Sequence, residues 1–134
     1  MQAAVTAARC PIRPRRWLNF GLLAACALGL GALAVLALPP YGYAFVLPVA
    51  FGGLAALLDR AITWRRGAVT CWLFGFGYFV GGLRWIAESF SVDPERFGAL
   101  AIPAVTGLSA GLALFPAAPG AAAVAIAPPG LWRP

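Results

Sequence analysis

Histidine and lysine are both absent from this sequence, and its acids number only four: Asp59, Glu88, Asp93 and Glu95. General acid–base catalysis draws on His, carboxylates and Lys, and metal sites draw on His, Cys and carboxylates. The side chains for either are nearly missing, so no catalytic residue, no metal site and no cofactor is assigned. Cysteine is limited to Cys10, Cys26 and Cys71, an odd count without a Cys-x-x-Cys pair, which argues against a disulfide framework and a zinc site. Cys26 and Cys71 lie inside apolar runs and read as small packing residues. Charge is scarce as well. Charged residues make up 10% of the chain, against roughly 25% in soluble domains, too little polar surface to cover a water-facing globule.

What fills the gap is apolar. Hydrophobic residues are 62% of the chain and the mean hydropathy is +0.85, where soluble domains run at roughly 45–50% apolar. This is the composition of a membrane protein with no soluble domain. Every positive charge is an Arg, for a net charge of +6. A patch of Arg on a folded surface would point to nucleic acid, but these residues sit at the ends of apolar runs, where positive charge sets membrane orientation. No nucleic-acid partner is expected.

Residues 1–16 carry Arg9, Arg13, Arg15 and Arg16 with Pro11 and Pro14 and read as a basic cytoplasmic lead. Trp17 to Leu38 is uncharged throughout, about 33 Å long as a helix and enough for a hydrocarbon core of about 30 Å. Pro39, Pro40, Tyr41, Gly42 and Tyr43 then turn the chain and place two rings at an interfacial belt. A shorter apolar stretch ending at Leu58, with Pro48 inside, forms the second and weakest span. A polar loop at 59–67 with Arg60, Arg65 and Arg66 leads to a third span, which extends to Ala87 if Arg84 snorkels outward. The next loop holds Arg84 and Arg96 against Glu88, Asp93 and Glu95, and a fourth apolar run follows with Pro103 as an expected kink. The expectation is an all-α integral membrane fold of about four transmembrane helices, near 17–38, 42–58, 67–87 and 97–118. A Pro-rich irregular tail occupies 119–134. Arg is concentrated in the N-terminus, the 59–67 loop and the C-terminus, so both termini are expected in the cytoplasm.

The basic lead followed by an apolar run also has the outline of a secretory signal, with Ala32-Leu33-Ala34 at a cleavage position. Leu23-Ala24-Ala25-Cys26 matches a lipobox. The run exceeds the usual 7–15 apolar residues of a signal and stays apolar to Leu38, which favours an uncleaved first span.

Gly77 and Gly81, and again Gly107 and Gly111, have the four-residue spacing that lets helix backbones approach in a membrane, so both pairs are candidate helix-packing positions. Thr70, Gly77, Gly81, Arg84 and Glu88 fall on one face of a continuous helix. Ionisable residues near the membrane boundary invite a functional reading, here a lipid-binding site lined by Arg84, Trp85 and Glu88. The plainer reading is an interfacial i,i+4 pair beside a belt Trp, worth about 0.2–0.5 kcal/mol.

The order of these features is familiar. ALPPYGYAFVLPVAFGGLAALL at 37–58, RRGAVTCWLFGFGYFVGGLRWIAESFSVDPERFGAL at 65–100 and GLSAGLALFPA at 107–117 resemble the N-terminal membrane region of bacterial apolipoprotein N-acyltransferases. WLFGFGYFVGGLRWI and the VDPERFG loop after it look most like the alphaproteobacterial form. The resemblance covers about residues 17–118. It implies a multi-pass protein of the bacterial inner membrane and an acyltransferase of lipoprotein biosynthesis, which moves an acyl chain from a phospholipid to the α-amino group of a lipoprotein's N-terminal Cys. It further implies a nitrilase-like domain with a Glu, Lys and Cys triad, in which Cys forms a thioester, Glu is the base and Lys stabilises the oxyanion. No member of that triad maps onto these residues, and none of the three Cys has a base in a matching motif. The chain therefore reads as an N-terminal membrane fragment, catalytically incompetent alone. Its expected partners are membrane phospholipid and a nitrilase-like catalytic subunit or the remainder of the enzyme. The alternative is a stand-alone small membrane protein that binds lipid or a partner helix.

Overall fold

Helices account for the whole of the regular structure in the computed structural model, which describes residues 15–89 and 94–126, with side chains for 20–89 and 99–126. Helix α1 runs Arg15–Ala34 and tightens into a 3-10 turn at Val35–Ala37. Helices α2 (Val46–Leu58), α3 (Trp64–Gly82) and the short α4 (Arg84–Ser89) follow. Helices α5 (Pro94–Leu112) and α6 (Leu114–Ile126) form the last traverse. No strand occurs among the described residues. Among the described residues two stretches, Phe20–Ala37 and Ala99–Ile126, are long and apolar enough to cross a membrane.

Helix α3 is the axis of the assembly. A Cβ added at Gly31 of α1 would strike the Phe74 carbonyl oxygen and come within 3.0 Å of the Tyr78 nitrogen; one added at Gly77 would strike the Leu28 carbonyl oxygen; and at Gly81 it would come within 2.7 Å of Val35. Residue numbers rise together along this seam, so α1 and α3 are parallel. On the other flank Gly67 faces Val124 and Gly120, Gly120 touches Cys71, and Gly75 faces Pro116 and Ala113. Here the numbers run in opposition, so α5 and α6 descend antiparallel to α3. Helix α2 also descends, with Gly53 against Leu30. Consequently α1 begins and α6 ends at the same end of the bundle, level with the start of α3. Gly75 and Gly77 are two positions apart, about 200° around a helix, which is how one helix offers backbone-close contact on two flanks.

The core joins Ala34, Ala50, Leu54, Cys71 and Phe74, with Leu30, Leu47, Leu58 and Tyr78 packed around it. Phe51 and Phe74 meet with ring centroids 5.5 Å apart, and Trp72 stacks on Phe76 at 5.3 Å. Trp72 Nε1–H donates to the Ala110 carbonyl at 3.1 Å, tying α3 to α5. Many large apolar side chains point outward, among them Phe115, 83% exposed, and Ile102, 74% exposed.

The boundaries differ from the sequence expectation in several places. Helix α2 has 13 residues, about 20 Å of rise, and starts at Val46 because the Tyr41–Ala44 turn consumes the preceding residues. The third helix is not continuous to Ala87: Leu83 departs from helical geometry at φ −90°, ψ 11°, and α4 begins afresh at Arg84. Helix α3 starts at Trp64 inside the supposed loop, because extended Thr63 (φ −127°, ψ 146°) leaves its carbonyl to accept from the Arg66 and Gly67 N–H groups.

The expected irregular tail is helical as far as Ile126. Pro116 falls in the first turn of α6, where an N–H has no intrahelical acceptor. Pro119 forfeits one bond, and the adjoining Gly120 is buried against Cys71. Pro103 lies inside α5 without ending it, and Thr106 Oγ1 donates to the Ile102 carbonyl at 2.7 Å. Residues 1–14 of the expected basic lead, with Cys10, residues 90–93 of the expected loop after the third span, and residues 127–134 of the expected tail lie outside the described residues.

Candidate functional site

At the end of α3 remote from the start of α1 and the end of α6, a groove of about 720 Å³ opens between α1 with its 3-10 extension and α3 with α4. Its apolar walls come from Leu28, Ala32, Val35 and Leu36 on one side and Phe76 and Val80 on the other. The turn after α1 forms the roof. Gly42 adopts φ +66°, a conformation that L side chains resist. The Tyr41 and Gly42 N–H groups both donate to the Leu38 carbonyl at 3.1 Å, and the Tyr43 N–H donates to the Leu36 carbonyl at 3.0 Å. This folds Pro39, Pro40 and Tyr41 over the groove.

Arg84, Trp85 and Glu88 line the mouth together with Gly77 and Gly81 deeper in. Sequence reasoning placed Gly77, Gly81, Arg84 and Glu88, with Thr70, on one face of an unbroken helix. The structure brings the first four together across a break: the chain leaves helical geometry at Leu83, and the first and fifth residues of α4 line the same groove as Gly77 and Gly81. The Leu83 N–H donates to the Phe79 carbonyl at 2.8 Å and the Ile86 N–H to the Leu83 carbonyl at 2.9 Å, so the break is hydrogen-bonded on both sides. Both charged residues and Trp85 are exposed. The groove is thus walled by apolar residues of α1 and α3, with one cation, one anion and the Trp85 and Tyr41 rings at the end where α4 and the turn after α1 meet it.

Thr70 is not part of it. It lines a separate pocket of about 210 Å³ at the other end of α3, with Phe20, Leu23, Leu57, Arg60, Arg66 and Leu73. Arg66 and Gly81 are about 22 Å apart by helical rise. Sequence reading treated Arg60 and Arg66 only as orientation signals and missed that the turn folds them onto α1.

The two glycine pairs have different surroundings. Gly77 and Gly81 press on Leu28 and Val35, whereas a Cβ at Gly107 or Gly111 meets nothing within 4 Å. Helix α5 instead turns Val105 and Ser109 inward, in line with Ala113 just past its end, all buried. Two positions of offset put the glycines about 200° away. Ser109 Oγ is fully buried with no hydrogen-bond partner; its small volume is what the contact uses. The stripe Gly67, Cys71 and Gly75 carries the α6 seam, and its i, i+4, i+8 spacing of small residues was the available signal. Cys71 is buried and Cys26 exposed, both as free thiols, and neither lines the groove.

With this geometry in place, the sequence can be set beside known proteins. The apolipoprotein N-acyltransferase N-terminal domain model matches residues 30–133. This chain belongs to that family. Apolipoprotein N-acyltransferase of Rhizobium etli is 46% identical over 100 residues, covering 66% of this chain and 18% of that protein. The Caulobacter vibrioides protein of the same name is 41% identical over 119 residues, covering 81% and 21%. That of Rhodopseudomonas palustris is 41% identical over 116 residues, covering 83% and 21%. The chain spans about a fifth of the length of these relatives. No solved structure matches it significantly.

Proposed function

We propose that this chain is the membrane module with which an apolipoprotein N-acyltransferase holds a phospholipid, the acyl donor in lipoprotein maturation. The observation that carries this reading is the groove in a member of that family: apolar walls leading to Arg84, Trp85, Glu88 and Tyr41 at one mouth. A phosphate suits Arg84, an ammonium suits Glu88, and Trp85 and Tyr41 suit the boundary between chain and headgroup. These 134 residues supply the lipid site and scaffold, not the reacting groups. A nitrilase-like domain or subunit with Glu, Lys and Cys performs the acyl transfer, so the chain alone is catalytically incompetent.

In this proposal the chain is multi-pass in the bacterial inner membrane, with spans formed by α1, α2, α3 and the α5–α6 traverse. The end holding Arg60, Arg65 and Arg66 is cytoplasmic, together with both termini, and the groove opens at the outer face. The short α2 spans by local thinning and by recruiting the Tyr41–Phe45 turn. The test is binding of a spin-labelled zwitterionic phospholipid to the folded chain and to its Arg84→Ala, Trp85→Ala, Glu88→Ala triple variant. Binding should fall at least about tenfold, by the loss of a headgroup charge contact and a belt ring; unchanged binding contradicts the proposal.

One observation favours the stand-alone alternative, a small membrane protein that binds a partner helix. The open Gly107 and Gly111 stripe lies on the same helix as outward Ile102, and small residues are what a packing helix selects. Copurification separates the stand-alone reading from the form of the first in which the catalytic part is a separate subunit: a nitrilase-like polypeptide accompanies the chain in that form, and none accompanies a stand-alone protein.

A further inference from the structure

The pocket at the opposite end of α3 has a different chemistry. Arg60 and Arg66 are exposed at its rim, and Asp59, next in sequence to Arg60, does not line it. No acid does. The positive end of α3 lies beside it, with neither an acidic residue in the first turn nor a side-chain cap at Thr63, so the helix dipole there adds to the charge of the two guanidiniums. Below the rim the lining is apolar, from Phe20, Leu57 and Leu73, with the Thr70 hydroxyl between. Arg66 and Leu73 are about 10 Å apart along the helix, the depth over which a headgroup gives way to its chains. Basic pockets between helices at a membrane face select anionic headgroups. An orientation signal needs only positive charge near a helix end; it does not need two guanidiniums converging on an apolar slot.

We infer that this pocket binds an anionic phospholipid, its phosphate on Arg60 and Arg66 and its glycerol and upper chain along Phe20, Leu57 and Leu73. The lipid belongs to the leaflet opposite the one the Arg84 groove faces, and it serves as a fixed structural ligand, not as the acyl donor. The inference rests on the membrane reading above, but on a different site and a different headgroup charge.

The test is native mass spectrometry of the full chain in detergent, titrated with phosphatidylglycerol or phosphatidylcholine. The first phosphatidylglycerol should bind in preference to phosphatidylcholine and be released by salt. Arg60→Gln with Arg66→Gln should weaken it roughly thirty-fold, about fivefold for each guanidinium, while Arg60→Lys with Arg66→Lys keeps most of it. Arg65→Gln, whose guanidinium sits over the Trp64 ring at 5.3 Å and outside the pocket, should leave the affinity unchanged. So should the Ala variant at Arg84, Trp85 and Glu88. Equal affinity for the two lipids in the Arg84, Trp85, Glu88 Ala variant, where the other groove is disabled, overturns the inference, as does an equal loss with Arg65→Gln, or displacement by inorganic phosphate at matching concentration. Loss in the Arg84, Trp85, Glu88 variant alone assigns the lipid to the other groove. That outcome overturns this inference and leaves the acyl-donor reading standing.

Discussion

Gly77 and Gly81 on α3 share their four-residue spacing with Gly107 and Gly111 on α5, yet the first pair lies against Leu28 and Val35 while the second faces open space. What separates them is rotation. Helix α3 is held between α1 and α5–α6, so nearly any small residue on either flank meets a backbone. Helix α5 has one inward face, and Val105 and Ser109 occupy it, in line with Ala113 just past its end. Spacing identifies a stripe of small residues; the neighbours that a helix acquires decide whether the stripe is a contact.

The comparison breaks most sharply at the α1–α3 seam. Gly31→Ala and Gly77→Ala each drive a methyl into a carbonyl of the facing helix, and a backbone cannot step aside as a flexible side chain can. Each is expected to cost about 1–3 kcal/mol, read as a lowered unfolding midpoint in mixed micelles; an unchanged midpoint for both would mean the seam is looser than described. Gly107→Ala and Gly111→Ala meet no atom and should instead stabilise by up to about 0.8 kcal/mol each through helix propensity. A destabilisation there would reveal a partner on that face.

Smaller effects sharpen the same contrast on α5. Trp72→Phe keeps the stacking surface for Phe76 but removes the donor to the Ala110 carbonyl, a loss of about 0.6 kcal/mol for a hydrogen bond between membrane helices. Ser109→Ala removes a buried hydroxyl that has no partner and should be neutral to slightly stabilising, since the desolvation of an unpaired group is relieved. A clear loss of stability in that variant would show that the hydroxyl makes a bond in the bilayer.

Much of the helical architecture was legible in composition. Apolar runs with Arg at their ends and the Pro39–Pro40 break marked where helices run and where the chain turns. The groove's residues Arg84, Trp85 and Glu88 were also legible, though for an incomplete reason: a continuous helix was assumed, and the hydrogen-bonded break at Leu83 delivers them to the same wall. Other features depend on what packs against what. Helix α6 persists through Pro119 because Gly120 seats on Cys71, a tertiary contact that propensity cannot anticipate. Thr70 belongs with Arg60 and Arg66 because the α2–α3 turn folds against Phe20, bringing together residues about forty positions apart. The Arg-rich turn had an adequate explanation as an orientation signal, which concealed that Arg60 and Arg66 line a pocket with Phe20.

The groove and the basic pocket must lie on opposite faces of the membrane for these assignments to hold. The direct measurement is impermeant maleimide labelling of spheroplasts carrying the chain with Cys10, Cys26 and Cys71 replaced and a single new thiol at Glu88→Cys or Ile62→Cys. Ile62, in the α2–α3 turn, is 73% exposed, and Glu88 is exposed at the groove mouth. Glu88→Cys is expected to label in intact spheroplasts and Ile62→Cys only after lysis. Labelling of both from one side, or the reverse pattern, would contradict the arrangement of a lipid-handling groove at the outer face and an Arg-rich end in the cytoplasm.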